Sequence, residues 1–566
     1  MTRLKVVAIA VTIALVLLFA MVPPGTSHTA SPPASTVRGA FHIHSNRSDG
    51  SGSVDEIASA AARAGLQFII LTDHGDATRA PAPPAYRSGV LTIDAVELST
   101  TGGHYAAIGL PASPYPLAGT PAEVIEDVHR LGGFGFAAHP GSPRPSLSWH
   151  DWQASIDGLE WINADSEWRD EARLPIARAM ATYLLRAPQS MATLLDRPVT
   201  VLLKWDELSQ RRKLVGLAGT DAHARLGLRQ GGDPDYSSIH VPLPSYEASF
   251  RAFSNHVALD APLSKDAAAD AERLLSAIRN GRVYTVIDAL ATPGSLSFTA
   301  TSGSRSASMG EDLAIEGEVL LKASVQAPPG TTLILLRNGQ RVHEATGGEL
   351  ESNGGREPAV YRIEAYTAGG PGDPAVPWIV SNPIYAGYVR AAPATDASAA
   401  PLGRIPARTS EAAPEFGAND SSSVQVGSPI DPGSRTFTGD PAVTWSFALS
   451  PGQATGQFAA VALPVAGGLA GFDRVRFLVS SAAPMRVWVQ LRAPVGSTER
   501  WGSTFYADTT PRIVDLPFSA FRAIGVTSQP LAPLDRVDSL LFVVDTLNTL
   551  PGTTGKLVIS EIGFVK

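Results

Sequence analysis

FHIHSNRSDG, residues 41–50, is the stretch on which the fold is decided. It places two of the chain's 12 histidines one residue apart, with an aspartate five positions after the second. On an extended strand His42 and His44 point to the same face, because side chains alternate with period two. Two neighbouring imidazoles in an apolar stretch are costly unless they share a proton, a cation or water. Taken alone, the stretch is either a solvated strand edge or half of a cation site.

Working outward, strands and helices alternate from Arg38 to about Leu290. Ser53 and Glu56 form a capping box opening a helix with Val54, Ile57, Ala58 and Ala61 on one face, and Gly65 ends it. FIILTDH (68–74) reads as a buried strand ending in Asp73–His74, and LTIDAVELS (91–99) as another. Thr120 and Glu123 repeat the box with Pro121 at the first helical position. FGFAAH (134–139) and LVGLAGTDAH (214–223) are strands closing on histidines. Such alternation predicts a parallel sheet, in a barrel or an open α/β fold.

The chain's 566 residues exceed what one core organises, so several domains are expected. A net charge of −8 offers no basic surface to a polyanion and disfavours bulk nucleic-acid binding. The absence of cysteine excludes disulfides, thiolate nucleophiles and zinc fingers. Arg3 and Lys5 precede an apolar run from Val6 to Val22, the pattern of a signal sequence or N-terminal membrane anchor. The expected location is therefore exported: periplasmic or extracellular, or anchored on the outer face of the cytoplasmic membrane with the N-terminal segment in contact with it.

The expected domains are a signal or anchor with linker over 1–36, a barrel over 37–291, a small all-β extension over 292–388, a disordered Ala/Pro/Ser/Thr-rich linker over 389–424 and an all-β module over 425–566. The extension is marked by EVLLKASV (318–325) and TLILLRNGQRV (332–342).

His42, His44, His74, His104, His139 and His223 all fall at or near strand ends, where parallel α/β folds collect their ligands. Asp49, Asp73, Glu97 and Asp221 share those zones. A histidine/carboxylate set without thiolates suits zinc, manganese or iron, and magnesium less.

In order, FHIHSNRSDG, LTDH (71–74), VELS (96–99), GGHYAAIGL (102–110), AAHP (137–140) and GTDAH (219–223) resemble the motifs of the PHP (polymerase and histidinol phosphatase) superfamily. The resemblance implies an α/β fold, a distorted (β/α)7 TIM-like barrel. It implies metal ligands at His42, His44, Asp49, His74, Glu97, His104, His139, Asp221 and His223, holding up to three divalent cations with Glu97 bridging two. SNPIYAGY (381–388) and DGLEWINADSEWR (157–169) resemble the CehA/McbA-like branch, which includes phosphoesterases and hydrolases of amide or carbamate bonds.

The expected activity is that of an exported metal-dependent phosphoesterase (phosphatase or phosphodiesterase) using a metal-activated hydroxide. Alternatives are an amide, carbamate or ester hydrolase with the same centre, a nucleotide phosphatase or 5'-3' exonuclease, and a non-enzymatic binder of envelope polysaccharide. Asp73 and Glu97 are the candidate catalytic groups, and Arg225 and Arg229 the candidates for gripping a small substrate's phosphate. His150, Trp149 and Trp152 are candidate pocket residues, and Glu160 and Asn163 are placed behind the ligands or in the barrel wall. The last module resembles galactose-binding-like jelly rolls, in which Trp488, Arg476 and Trp501 would meet a cell-envelope carbohydrate.

Overall fold

The computed structural model describes residues 2–227, 240–388, 405–427, 441–453, 455–493 and 499–566. Two compact units form: Met1–Pro111 with Thr120–Ala391, and Ala112–Gly119 with Ala392–Lys566. The chain is a mixed α/β protein that ends in all-β sheets.

In the first unit the strands that matter are β1 (Thr36–Ile43), β2 (Phe68–Leu71), β3 (Val90–Asp94), β4 (Val96–Thr100), β5 (Gly103–Ile108), β6 (Phe134–Ala137), β7 (Gly158–Asn163) and β8 (Val215–Ala222). β1 pairs in parallel with β2 and β8, β2 with β3, and β7 with β6 and β8. His74 pairs with Glu97 on β4, β4 runs antiparallel to β5, and β5 antiparallel to β6, which closes the barrel. Strict alternation of strand and helix is not kept. A hairpin links β4 to β5 and reverses one strand, and the β2–β3 connection carries two short strands, His74–Gly75 and Ala85–Arg87, instead of a helix.

Both predicted capping boxes form, opening helices Val54–Arg63 and Pro121–Arg130. Ala40, Ile43, Ile69 and Leu71 pack on the first of these through Ile57, Ala58 and Ala61. Phe41, Ile70, Phe136 and Leu217 gather in a separate core, so β1 and β2 each contribute to two apolar layers, although in β1 the alternation breaks at His42 and Phe41 and Ile43 fall in different layers. Between β7 and β8 lie helices Ala164–Arg169, Arg173–Ala192 and Val199–Ser209, the second broken at Arg186, just before Pro188.

Pairing runs through the expected boundary near residue 292. Strand Val283–Val286 pairs with Ile379–Ser381, so strands of the extension join the barrel sheet, while four others form a separate sheet. Thr2–Met21 is helical, and among the described residues no helix is long and apolar enough to cross a membrane.

Among the described residues, the second unit is built of two six-stranded sheets enclosing one core that includes Trp445, Phe477, Val487, Val489 and Phe542. Part of the expected linker is strand: Ala413–Phe416 pairs with Ala459–Ala462, and Ser421–Gly427 with Ala442–Ala448. Pro414 is tolerated because its strand is a sheet edge, where a missing N–H costs no ladder bond. Residues 389–404 of that linker lie outside the described residues.

The expected carbohydrate platform does not form. Trp501 is wholly buried and donates from Nε1 to the Gln529 carbonyl at 3.0 Å, so it is core. Arg476 faces outward on one sheet, between buried Val475 and Phe477, whereas Trp488 lies on the other sheet against Ala460, Ala462, Leu541 and Val543. The alternation that turns Arg476 and Trp488 out of the main core was legible; that they sit on opposite sheets was not.

Candidate metal centre

The nine residues expected as ligands converge at one end of the barrel. His44 Nε2 lies 3.2 Å from Asp221 Oδ1 and 3.3 Å from Glu97 Oε2, and its Nδ1 lies 3.3 Å from Asp49 Oδ1. His42 Nε2 is 3.2 Å from Glu97 Oε2 and 3.4 Å from Asp221 Oδ1. His104 and His139 each reach Glu97 Oε1 at 2.8 Å, and His74 reaches Glu97 Oε2 at 3.3 Å. Asp49 Oδ2 is 3.2 Å from His223 and 3.4 Å from His74.

These donors fall into four overlapping groups: His44, Asp49, His74 and His223; His42, His139 and Asp221; His42, His44 and Glu97; and His74, Glu97 and His104. Glu97 joins two of them, as a bridging carboxylate would.

The donor chemistry fits a cation. His44 is fully buried, yet neither ring nitrogen has a hydrogen-bond partner despite carboxylate oxygens 3.2–3.3 Å away. Two donors roughly 2.0–2.1 Å from one tetrahedral ion stand about 3.3 Å apart. That spacing with misaligned N–H directions is what a shared ion produces and a hydrogen bond does not.

Burial opposes charge on His42, but Glu160, Asp221 and Glu97 outweigh it and hold the imidazole's pKa well above its ordinary value. Burial likewise opposes charge on His44, and Asp221, Asp49 and Glu97 reverse it. Asp49 is held far below the usual carboxylate range, its burial overcome by His223, His44 and His74. Glu97 and Asp221 are depressed in the same way by the surrounding histidines. In the protein alone protons thus balance the carboxylates, and a cation would replace them.

The backbone is bent to make this cluster. His42, His139 and Asp221 have φ of 65°, 31° and 45°, in the left-handed region that non-glycine residues avoid. The β1–β8 register slips between Gly219 and Ala222, so the simple period-two picture of His42 and His44 fails locally although both rings reach the same carboxylates.

Glu160 holds the cluster from behind. Its Oε1 lies 2.6 Å from His42 Nδ1, and its Oε2 accepts from the His139 backbone N–H at 2.6 Å and from Asn163 Nδ2 at 2.8 Å. Because a carboxylate only accepts, His42 presents its Nδ1–H to Glu160, and with a cation in place of the second proton its Nε2 lone pair would face that cation. The room for this carboxylate comes from Gly219, where a Cβ would lie 2.0 Å from Glu160 Oε1.

Asp73, expected as catalytic, is turned away from the histidines. Its oxygens accept from Ser45 N–H and Oγ, from Ser48 Oγ and from Arg47 Nε and Nη2 at 2.7–2.9 Å. It clamps the 45–48 turn that presents Asp49, and Asp94 anchors Arg47 from the far side at 2.6 Å. Glu97, the other catalytic candidate, is inside the cluster. Arg225 donates to the Asp49 carbonyl at 3.2 Å and sits beside the site; Arg229 lies outside the described residues. Trp149 is buried within its own loop and His150 bonds the Pro145 carbonyl, neither engaging the cluster.

Motif reading did not identify the apolar wall next to Asp221 and His223, formed in part by Arg173–Ala192 and Leu195. Its only signal was an excess of Leu, Met and Ala without a clean helical stripe.

No family model and no curated protein matches the chain. Among solved structures, a two-domain protein of Bacteroides vulgatus, described as containing a predicted PHP-like metal-dependent phosphoesterase, is 16% identical, with 60% of this chain and 94% of that chain covered at a TM-score of 0.28. A proposed metal-dependent phosphoesterase of Bifidobacterium adolescentis is 14% identical, with 40% and 95% covered at 0.22. The family 11 carbohydrate-binding module of Clostridium thermocellum, bound to a mixed-linked β-1,3-1,4 tetrasaccharide, is 16% identical, with 27% and 88% covered at 0.22. Scores this low establish no shared fold.

Proposed function

We propose that the chain is a metal-dependent hydrolase of phosphoester bonds, built on a PHP-like barrel. The observation that supports this most is the buried His44, whose two unpartnered nitrogens face Asp49, Glu97 and Asp221 within four overlapping donor groups. Divalent cations held by the nine donors would supply Lewis acidity and lower the pKa of water. Glu160 fixes the tautomer of His42, Asp73 fixes the turn bearing Asp49, and Arg225 stands where an anionic oxygen could be met. Burial of His42, His44 and Glu97 keeps water from competing for the donors.

The same centre would serve an amide, carbamate or ester carbonyl, so the bond is decided by assay. The test is metal analysis of the purified protein with a panel of phosphomonoesters, phosphodiesters, amides and carbamates. The expected result is stoichiometric zinc, manganese or iron and turnover lost in His44→Ala. A folded protein that takes up no metal and hydrolyses none of the panel overturns the proposal. Export, supported by Arg3, Lys5 and the apolar run after them, and a carbohydrate ligand for the second unit belong to the same reading; a periplasmic reporter fusion and a β-glucan pull-down test them.

A further inference from the structure

Beside the cluster, within the first unit, lies a cavity of about 370 Å3, in the size range of small-molecule sites. Asp221 and His223 form part of one wall, with Arg225 next to them. The rest is mostly apolar, with Leu195 and Phe253 buried, Trp168 and Ile176 half-buried, and Met180 and Leu184 on it as well. Leu195 and Phe253 are 4% and 1% exposed, whereas Met180 and Leu184 are 61% and 93% exposed. The apolar lining thus runs from the interior out to solvent.

The charged groups of that lining are largely spent on each other. Asp165 and Arg169 pair, and Glu167 accepts from the Asp196 backbone N–H. Burial raises the Glu167 carboxyl well above its ordinary pKa, which disfavours a charge there. A chamber of this kind contributes hydrophobic burial and dispersion, and it has few groups with which to hold a sugar or a nucleobase.

We propose that this chamber binds an alkyl or aryl group belonging to the same substrate whose polar bond meets the histidine–carboxylate cluster, so that the preferred substrates are amphipathic. This rests on the hydrolytic reading above and narrows its substrate class. The polar end lies at Asp221, His223 and Arg225, the apolar end runs along Ile176 and Leu195, and Met180 and Leu184 form the mouth. Longer chains gain by burying successive methylenes, and a methyl group gains almost nothing.

The experiment uses the metal-loaded full chain, titrated calorimetrically with methylphosphonate and octylphosphonate and assayed on the p-nitrophenyl monoesters of the same two phosphonates. Octylphosphonate should bind on the order of 100-fold more tightly than methylphosphonate, with KM following the same ratio. Leu184→Glu, at an exposed position that tolerates substitution, should cut that ratio about tenfold. Bound metal and turnover with equal affinities for the two probes overturn this inference alone. Absence of both metal and turnover overturns the hydrolytic reading and this inference with it. An unchanged ratio in Leu184→Glu and in a Met180→Glu companion overturns the assignment of the mouth.

Discussion

Replacing Glu160 by glutamine isolates the contribution of a residue that does not itself join the donor groups. Its Oε2 accepts two N–H donors, from His139 and Asn163, so the glutamine oxygen must occupy that position. The amide NH2 then faces His42 Nδ1 at the 2.6 Å contact. Two donors cannot face each other, so Nδ1 must become the acceptor and the proton moves to Nε2. Nε2 is the nitrogen 3.2 Å from Glu97 and 3.4 Å from Asp221, and once protonated it has no lone pair for a cation. Loss of such a supporting carboxylate costs tenfold to a hundredfold in metal affinity, about 1.4–2.7 kcal/mol. Competition against a chromophoric chelator, with far-UV circular dichroism to confirm folding, measures it. Wild-type affinity in folded Glu160→Gln would refute the assignment of His42's tautomer to Glu160.

The same contact can be broken without changing a charge: Gly219→Ala puts a Cβ 2.0 Å from Glu160 Oε1 and should weaken metal binding to a similar degree, again read by chelator competition. Asp73→Asn removes acceptor capacity from the turn bearing Asp49. It should lower metal affinity about tenfold while leaving the pH–rate profile unshifted, whereas a shifted profile would restore Asp73 as a proton carrier. Glu167 has a raised folded pKa, mainly through burial, so the folded state binds the extra proton. Wild-type stability should then fall as pH rises above about 4.5, and Glu167→Gln should melt higher than wild type at pH 8 with the gap closing towards pH 4; a constant gap would refute this. Each unit of the shift is worth about 1.4 kcal/mol.

Much of the barrel was legible because its signals are local. Capping boxes at Ser53 and Thr120 fix helix starts through bonds within four residues, and both form. The histidine and aspartate motifs marked strand ends because a donor must sit where the backbone leaves the sheet. What the sequence hid depends on distant partners. The reversal at Gly103–Ile108 follows from a hairpin that leaves the apolar pattern of the strand unchanged. Asp73 reads as a member of a D-H pair, and only Ser45, Arg47 and Ser48, 25 to 28 residues away, reveal that it faces the other way. Trp501, by contrast, shares the parity of Phe505 and Ala507 on its strand, and all three are core.

The strain at the cluster gives a last prediction. His42, His139 and Asp221 in left-handed backbone cost about 1–3 kcal/mol each, a sum comparable with the stability of a whole domain. Part is offset by bonds that over-determine the strand ends. Thr220 Oγ1 donates to the carbonyls of Phe41 and His42, and Glu160 takes the His139 N–H. These bonds fix the backbone but leave Glu97 and Asp221 buried, balanced only by protons on neighbouring histidines. Cations present at a thousand times their dissociation constant add about 4 kcal/mol to the folded state. Chelation should therefore lower the melting temperature of the first unit by on the order of 5–10 °C, and more at pH 8 than at pH 6, where protons still balance the carboxylates. Calorimetry with and without chelator reads this directly. A melting temperature unchanged by chelator at both pH values would mean that the cluster is a proton-shared polar network, in which the buried His42 and His44 share protons and no cation.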